Sequence, residues 1–431
     1  MDKKENVVII GGGAAGMIAA WRAASLGAQV TLLEKNPNPG IKILISGGGK
    51  CNITNGNEIQ TMLKQFQKNE SRFLKFAFHT FTNDQLLTLL QNEGVETYTR
   101  DNGKVFPTSH DAEDVVKAFQ NLMERNGVEV LLQTPVKEIF RNDDGSFNVK
   151  TNRGIISAAK VIIATGGSSY QKTGTTGDGF RWIQKLGHTI VPIRPALTPI
   201  ILLPAPPSLW QGTPIRECNL MAISLPFDFR QNNGGQAVQG EIVSEWRGDV
   251  LITHFGISGP ATLEVSRNAY LQFEKGIKID MCVDFYPELT IEQLDEKIIK
   301  EISTNPSRSM ITLTEYLVPQ KLAEFLLAQL KIDYTKKLNQ LSKNERGELV
   351  KKLKRFPLGT VKDIPLDRGE VTAGGASLNE VDSTTMESTI VQGLYLCGEV
   401  LDIAGPVGGY NLQAAFSTGY VAGDHAATSL R

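Results

Sequence analysis

Gly11-x-Gly13-x-x-Gly16 follows an apolar run at residues 7–10 and opens an alanine-rich stretch. In such a loop the first glycine permits a tight turn and the second lets backbone approach a pyrophosphate. The third lets helix and strand pack closely. The helix that begins at Ala14 and Ala15 presents free N–H groups and the positive end of its dipole to an anion. Glu34 ends the next apolar run, about 20 residues on, where a carboxylate accepts hydrogen bonds from a ribose and repels a 2′-phosphate. Lys35 follows it. The pattern is that of a dinucleotide site, and the fingerprint alone leaves the choice between NAD and FAD open.

Two further strand-to-glycine turns bear on that choice. Residues 161–164 lead into Thr165-Gly166-Gly167, and residues 394–397 lead into Gly398-Glu399. Gly409, Asn411 and Leu412 then start a second alanine-rich helix, whose N-terminus is another place for an anionic or carbonyl group. A cofactor touched by both ends of the chain must be long. This trio resembles the flavoproteins with two dinucleotide-binding domains, in which such segments flank FAD. Only one complete GxGxxG is present, so NAD(P)H is expected as a transient reductant without a Rossmann domain of its own.

Residues 46–55, SGGGKCNITN, are the densest glycine cluster outside the fingerprint. In a two-dinucleotide fold this region passes beneath the flavin ring. Gly48 and Gly49 would let backbone lie against the cofactor, and Lys50 would stabilise the negative charge of reduced flavin. Cys51 is a candidate proton donor or redox thiol, with plain packing as the alternative, since cysteine is among the most often buried residues. Asn52 completes the segment. In the middle of the chain, Thr253-His254-Phe255-Gly256-Ile257-Ser258-Gly259-Pro260 places His254 among glycines. It is a candidate general acid or a residue that orients a substrate carbonyl, or else a histidine bonded within a turn. Ser258 is expected to cap a helix. Tyr170 and Tyr410 flank cofactor segments and are candidates for stacking or hydrogen bonding.

The segments GGGKCNITN, ATGGSSY with TGDGF, THFGISGP, VTAGG, TMES and GEVLD through GGYNLQ together resemble the BaiN/RdsA-type family of NAD(P)/FAD-dependent oxidoreductases. The resemblance runs over essentially the whole chain. It implies FAD and an α/β fold: a Rossmann-like FAD-binding domain with an inserted antiparallel β-barrel domain and a small helical domain. Cys51 and His254 are the candidate catalytic residues, and Val136 is an expected cofactor contact. Family members are associated with reduction of uridine to dihydrouridine in large-subunit ribosomal RNA, oxidation of small amines, and reduction of a steroid C=C bond. Gln171, Ala376 and the turn Ala404-Gly405-Pro406-Val407 depart from the family pattern.

The texture of the chain supplies elements to carry these residues. A βαβ unit opens it, with a helix from residue 14 to 26 and a strand at 29–33. Residues 60–130 read as largely helical, clearest at 83–92 and 111–126. Short strands follow at 128–132, 147–151 and 161–164. Prolines and turns such as Asn233-Gly234-Gly235 punctuate residues 193–287, which read as a sheet or small barrel. Residues 290–356 read as helical. The expected domains are 1–192 with 375–431 for FAD, 193–288 with 357–374 for the barrel, and 289–356 for the helices.

Composition bounds the rest. A net charge of -1 excludes a strong overall field, so a nucleic-acid partner needs a local patch. Residues 331–355 hold nine basic residues against Asp333, Glu345 and Glu348, which makes ribosomal RNA a candidate partner. Four scattered cysteines without metal spacing suggest reduced thiols, a cytoplasmic setting and no metal. The apolar run at 7–20 is broken by glycines, so no membrane span is expected.

Overall fold

The computed structural model describes residues 6–225 and 240–430; the Asn233-Gly234-Gly235 turn lies outside them. Contacts divide the chain into two compact units, residues 1–194 with 370–431, and residues 195–369.

The first unit is built on a five-stranded parallel sheet. Its strands are β1 (Asn6–Ile10), β2 (Gln29–Leu33), β3 (Glu129–Leu131), β4 (Lys160–Ile163) and β5 (Leu394–Leu396), in the order β5-β4-β1-β2-β3. Val8 pairs with Val161 and Thr31, and Val161 with Leu394. Val7, Val8, Ile9, Val161, Ile162 and Ile163 are fully buried. A parallel strand covered on both faces needs an apolar residue at every position, which is why these runs are continuous rather than alternating. Parallel pairing also brings Gly11, Glu34, Thr165 and Gly398 to the same edge, at the carboxyl ends of the strands, where open α/β sheets bind ligands.

Helix α1 (Ala14–Ser25) follows β1, and α2 (Tyr410–Thr428) ends the chain. The two lie unusually close. A Cβ on Gly419 would sit 2.3 Å from the Ala15 carbonyl oxygen, and one on Gly423 would sit 2.3 Å from that of Ala19. The bare glycine and alanine faces let the two backbones touch, and this contact holds the last helix of the chain against the first.

Two stretches of this unit differ from the sequence expectation. Thr97–Thr99 and Lys104–Pro107 are strands inside the region read as helical, and they form a small sheet with Thr54–Asn55. Val136–Arg141 and Gly154–Ala158 flank Phe147–Thr151 in a meander. Each strand is three to six residues long, and the first pair depends on a partner some fifty residues earlier, so no local periodicity marks them. The helices expected at 83–92 and 111–126 are present, the second spanning Ala112–Arg125 and capped by Asp111, whose carboxylate accepts from Glu113 N–H at 2.9 Å.

The second unit holds the barrel expected from the resemblance. Six strands close in the order Ile200–Leu203, Gly256–Ser258, Glu241–Ile252, Pro214–Leu225, Lys278–Asp284, Phe356–Asp363 and back to the first. Helices Ile291–Thr304, Met310–Leu317, Gln320–Leu330 and Lys343–Lys354 share one apolar cluster with it. Leu294, Ile298 and Leu353 meet Val283 and Phe356 there, and Trp210 packs edge-on to Phe325 at 4.6 Å. Ser258 does not cap the following helix. It ends a strand, and the cap of Pro260–Phe273 is Gly259, with Pro260 in the first turn. Proline suits that position because its missing N–H has no acceptor there anyway.

Gly419→Ala should cost about 1–3 kcal/mol of unfolding free energy, because the methyl forces apart two backbones already in contact. Chemical denaturation of the variant against the parent checks it.

Candidate functional site

The phosphate loop is assembled by contacts that only glycine allows. Gly11 N–H donates to the Leu33 carbonyl at 2.8 Å, and a Cβ there would lie 2.5 Å from the Ala164 carbonyl oxygen. A Cβ on Gly16 would lie 1.8 Å from the Gly11 carbonyl oxygen. Gly13 differs, since nothing lies within 4 Å of its Cβ position. The first turn of α1 has no side-chain cap and no acidic residue, while Ala14, Ala15 and Gly16 are buried. Its leading N–H groups have no intrahelical acceptors by construction. The Thr165 hydroxyl is buried without a hydrogen-bond partner, packed against Gly179 of the helix Asp178–Lys185. An uncapped helix start and an open backbone face at Gly13 fit a dinucleotide pyrophosphate.

Glu34 is buried, and its carboxylate accepts from Gly12 N–H at 2.7 Å and Asn36 N–H at 2.8 Å. Those bonds fix it at the loop and leave acceptor capacity for ribose hydroxyls. Lys35 turns to Thr176 (2.7 Å) and Asp178 (3.0 Å), bracing the segment after the Thr165-Gly166-Gly167 turn. Val136 starts its strand half-buried against the core of this unit.

In the SGGGKCN segment, Gly47, Gly48 and Gly49 have φ of +59°, +69° and +85°. The first two form part of a single exposed turn with Ser46. Lys50 is exposed. Cys51 is enclosed: it is fully buried, its backbone is left-handed at φ +54°, and its N–H donates to the Ser46 carbonyl at 3.0 Å. Burial pushes its thiol up to about 12, opposed by the hydrogen bond with Ser46. Asn52 donates to the Thr54 and Val105 carbonyls and accepts from Gly409 N–H at 2.9 Å. Thr54 donates to Gln413 at 2.6 Å and Asn55 to the Gly408 carbonyl at 3.1 Å. A Cβ on Gly409 would lie 2.3 Å from the Thr54 carbonyl. The second half of this motif therefore splices onto the start of α2.

Glu399 is the centre of a network. Its carboxylate accepts from Lys42 Nζ at 2.6 Å, Ser169 Oγ at 3.2 Å and Thr372 N–H at 2.8 Å. Thr372 Oγ1 in turn accepts from the Ser168 and Ser169 N–H groups at 2.8 and 3.0 Å. Gly166 and Gly167 lie against the carboxylate, and Gly398 lies against Ala15 of α1. Asn411 uses its amide to hold the Gly405–Pro406 turn and Leu412 is half-buried beside it. Tyr410 is buried edge-on to Phe66, a packing role, whereas Tyr170 is exposed with φ +49°. Lys42, Ser169 and Thr372 were not among the sequence candidates. They come from three segments far apart in the chain: Ser169 and Thr372 lie within the ATGGSSY and VTAGG segments, while Lys42 lies in none of the quoted motifs.

In the second unit, His254 is exposed on the tight turn between two barrel strands, with its ring edge-on to Phe255 at 5.0 Å. Arg368 lies over the Phe255 ring at 4.9 Å. The basic stretch is offset in part. Lys336 pairs with Glu345, Arg346 with Asp295, Lys351 with Glu348 and Lys354 with Asp284, at 2.6–2.8 Å. Hydrogen bonds from Lys336, chiefly, hold the Glu345 carboxyl down to about 2. Asp284 and Asp295 lie outside residues 331–355, so counting charge within the stretch overstates it. Among the described residues no cluster is placed to hold a metal ion, and no helix is long and apolar enough to cross a membrane.

The family profile described as HI0933-like protein Rossmann domain matches residues 5–425. The chain belongs to that family. It is 30% identical over 423 residues to a ribosomal RNA dihydrouridine synthase of Haemophilus influenzae, covering 97% of this chain and 98% of that one. It is also 30% identical over 426 residues to a 3-dehydro-bile acid delta(4,6)-reductase of Clostridium scindens, covering 98% and 99%. Among solved structures, a 3-ketosteroid delta1-dehydrogenase from Sterolibacterium denitrificans matches with a TM-score of 0.51 at 13% identity, over 98% of this chain and 99% of that one, a likeness of fold. Membership makes this HI0933-like chain a flavoprotein oxidoreductase, as the site's geometry suggests.

Two outcomes follow from the geometry. Gly13→Val should leave unfolding within about 0.5 kcal/mol of the parent, since its Cβ position is open, yet weaken FAD binding at least about tenfold; fluorescence titration of the apoprotein reads the second. Native protein at pH 8 should leave Cys51 unmodified by iodoacetamide and label it only on unfolding, because thiolate is the reacting form and burial suppresses it. Peptide mass spectrometry reads this.

Proposed function

We propose that this chain binds FAD along the edge formed by Gly11–Gly16, Glu34, Thr165–Gly167 and Gly398–Glu399, and reduces a carbonyl-conjugated C=C bond. The favoured substrate is uridine in large-subunit ribosomal RNA, with NAD(P)H as the reductant. The end-to-end match to the Haemophilus synthase carries the choice of substrate. The bile acid reductase matches equally well and supports a second reading, an enone of a small fused-ring substrate. Both names describe saturation of a double bond conjugated to a carbonyl, so the reaction type is better supported than the substrate.

FAD, when bound, supplies hydride from N5. The α1 N-terminus would hold the pyrophosphate, and Glu34 would accept from the ribose. Hydride added at C6 of the base must be matched by a proton at C5, which needs an acid in reach. Cys51 is a poor donor for that step, because it is enclosed and keeps its proton up to about pH 12. His254 is exposed on its turn, and we propose it as the donor. An RNA base must be unstacked to reach a flavin. This reading gives the protein a cytoplasmic place of work. With four basic residues of the helical stretch already paired, RNA would be gripped by charges spread more widely than that stretch.

Nucleoside mass spectrometry of 23S ribosomal RNA from cells with and without the gene is the test. Dihydrouridine should vanish in the deletion, return with the parent gene, and return with Cys51→Ala. It should fall about a hundredfold in rate with His254→Ala, the usual worth of a general acid. Dihydrouridine unchanged by the deletion would end the RNA reading and turn attention to enones.

A further inference from the structure

The pairing of Lys42 with Glu399 has a consequence for the cofactor. Lys42 lies in the short helix Ile41–Ile45, whose start is tied to the phosphate loop by Gly40 N–H donating to the Gly12 carbonyl at 2.8 Å. Glu399 lies one residue past Gly398, which touches α1 at Ala15, and its carboxylate abuts the Gly166–Gly167 turn. Lysine and glutamate meet at 2.6 Å, with side-chain exposures of 27% and 18%. Lys42 also donates to Ser169 Oγ at 3.1 Å, which uses two of its three N–H groups and leaves one for an acceptor outside the network.

We propose that Lys42 is the positioning residue that neutralises Glu399 and thereby sets the charge that the flavin meets. This rests on the FAD reading above. Lys50, the cation expected from the sequence for this role, stands exposed on the glycine turn. Lys42 instead ties Ser169 to Glu399 through one ammonium group, while its helix is tied to the phosphate loop through the Gly40 backbone. Without it, Glu399 keeps Ser169 Oγ and Thr372 N–H as donors but loses its paired cation. That leaves one uncompensated negative charge in a partly buried position, where Coulomb interactions are less screened than in water. Reduced flavin carries more negative charge than oxidised flavin, so an unneutralised carboxylate disfavours reduction.

The test is a double-mutant cycle on the FAD-loaded full chain, read by midpoint potential and by FAD titration. Lys42→Met should move the potential to more negative values and weaken FAD binding about tenfold, the worth of a charge-assisted hydrogen bond. Glu399→Gln alone should move it to more positive values. The double variant should return towards the parent, with a coupling well outside additivity. Lys42→Arg should stay near the parent. If Lys42→Met fails to fold or to bind, Glu399→Gln alone still decides, because the proposal requires a positive shift from it. Potentials indistinguishable from the parent, or strictly additive shifts, would assign the pair a purely structural role and overturn the proposal. A parent chain that binds no FAD would instead sink the cofactor reading on which it rests.

Discussion

The contact between α1 and α2 is the constraint on which the first unit depends. Gly419 and Gly423 lie against the Ala15 and Ala19 carbonyls, closer than any side chain would allow. This contact holds a C-terminal helix against the helix of the phosphate loop. Once it is made, β5 takes its place beside β4, and Glu399 arrives at the turn that follows β4. The splice of Asn52, Thr54 and Asn55 onto Gly408, Gly409 and Gln413 repeats the same join a few residues away. A long cofactor needs both chain ends within reach of one another, and backbone-to-backbone packing achieves it with little side-chain volume.

Within that frame the polar groups divide into those already satisfied and those left open. Glu34, Glu399, Asn52 and Asn411 each have protein partners that fix their place. The first turn of α1 has no side-chain cap. Backbone N–H groups without partners are costly to enclose, so an uncapped helix start beside an open backbone face marks where a ligand completes the structure. Cys51 belongs to the other category. Its burial and its high pKa make it part of the core, and the glycines before it serve a turn with left-handed backbone.

The second unit shows how tertiary pairing changes a charge argument. Nine basic residues in one stretch suggest a cationic face. Arg346 and Lys354 meet Asp295 and Asp284, which lie some fifty and seventy residues earlier, and the local excess is offset in part across the fold. Electrostatic surfaces sum over space, while sequence windows sum along the chain.

Much of this protein was legible in its sequence because the signals are local. The strand, Gly11-x-Gly13-x-x-Gly16, helix and Glu34 succession is set by short-range sterics and hydrophobic periodicity, and so are the capped helix at 112–125 and the helical stretch after Thr290. The short strands at 97–99 and 104–107, the cap at Gly259 and the burial of Cys51 were decided by partners distant in the chain. The Lys42, Ser169, Thr372 and Glu399 network is the clearest case. Each residue type is ordinary at its own position, and only the fold brings them to within 3.2 Å of a common carboxylate or of one another. Spacing along a chain encodes local geometry, whereas the energy of a buried charge depends on what packing places beside it.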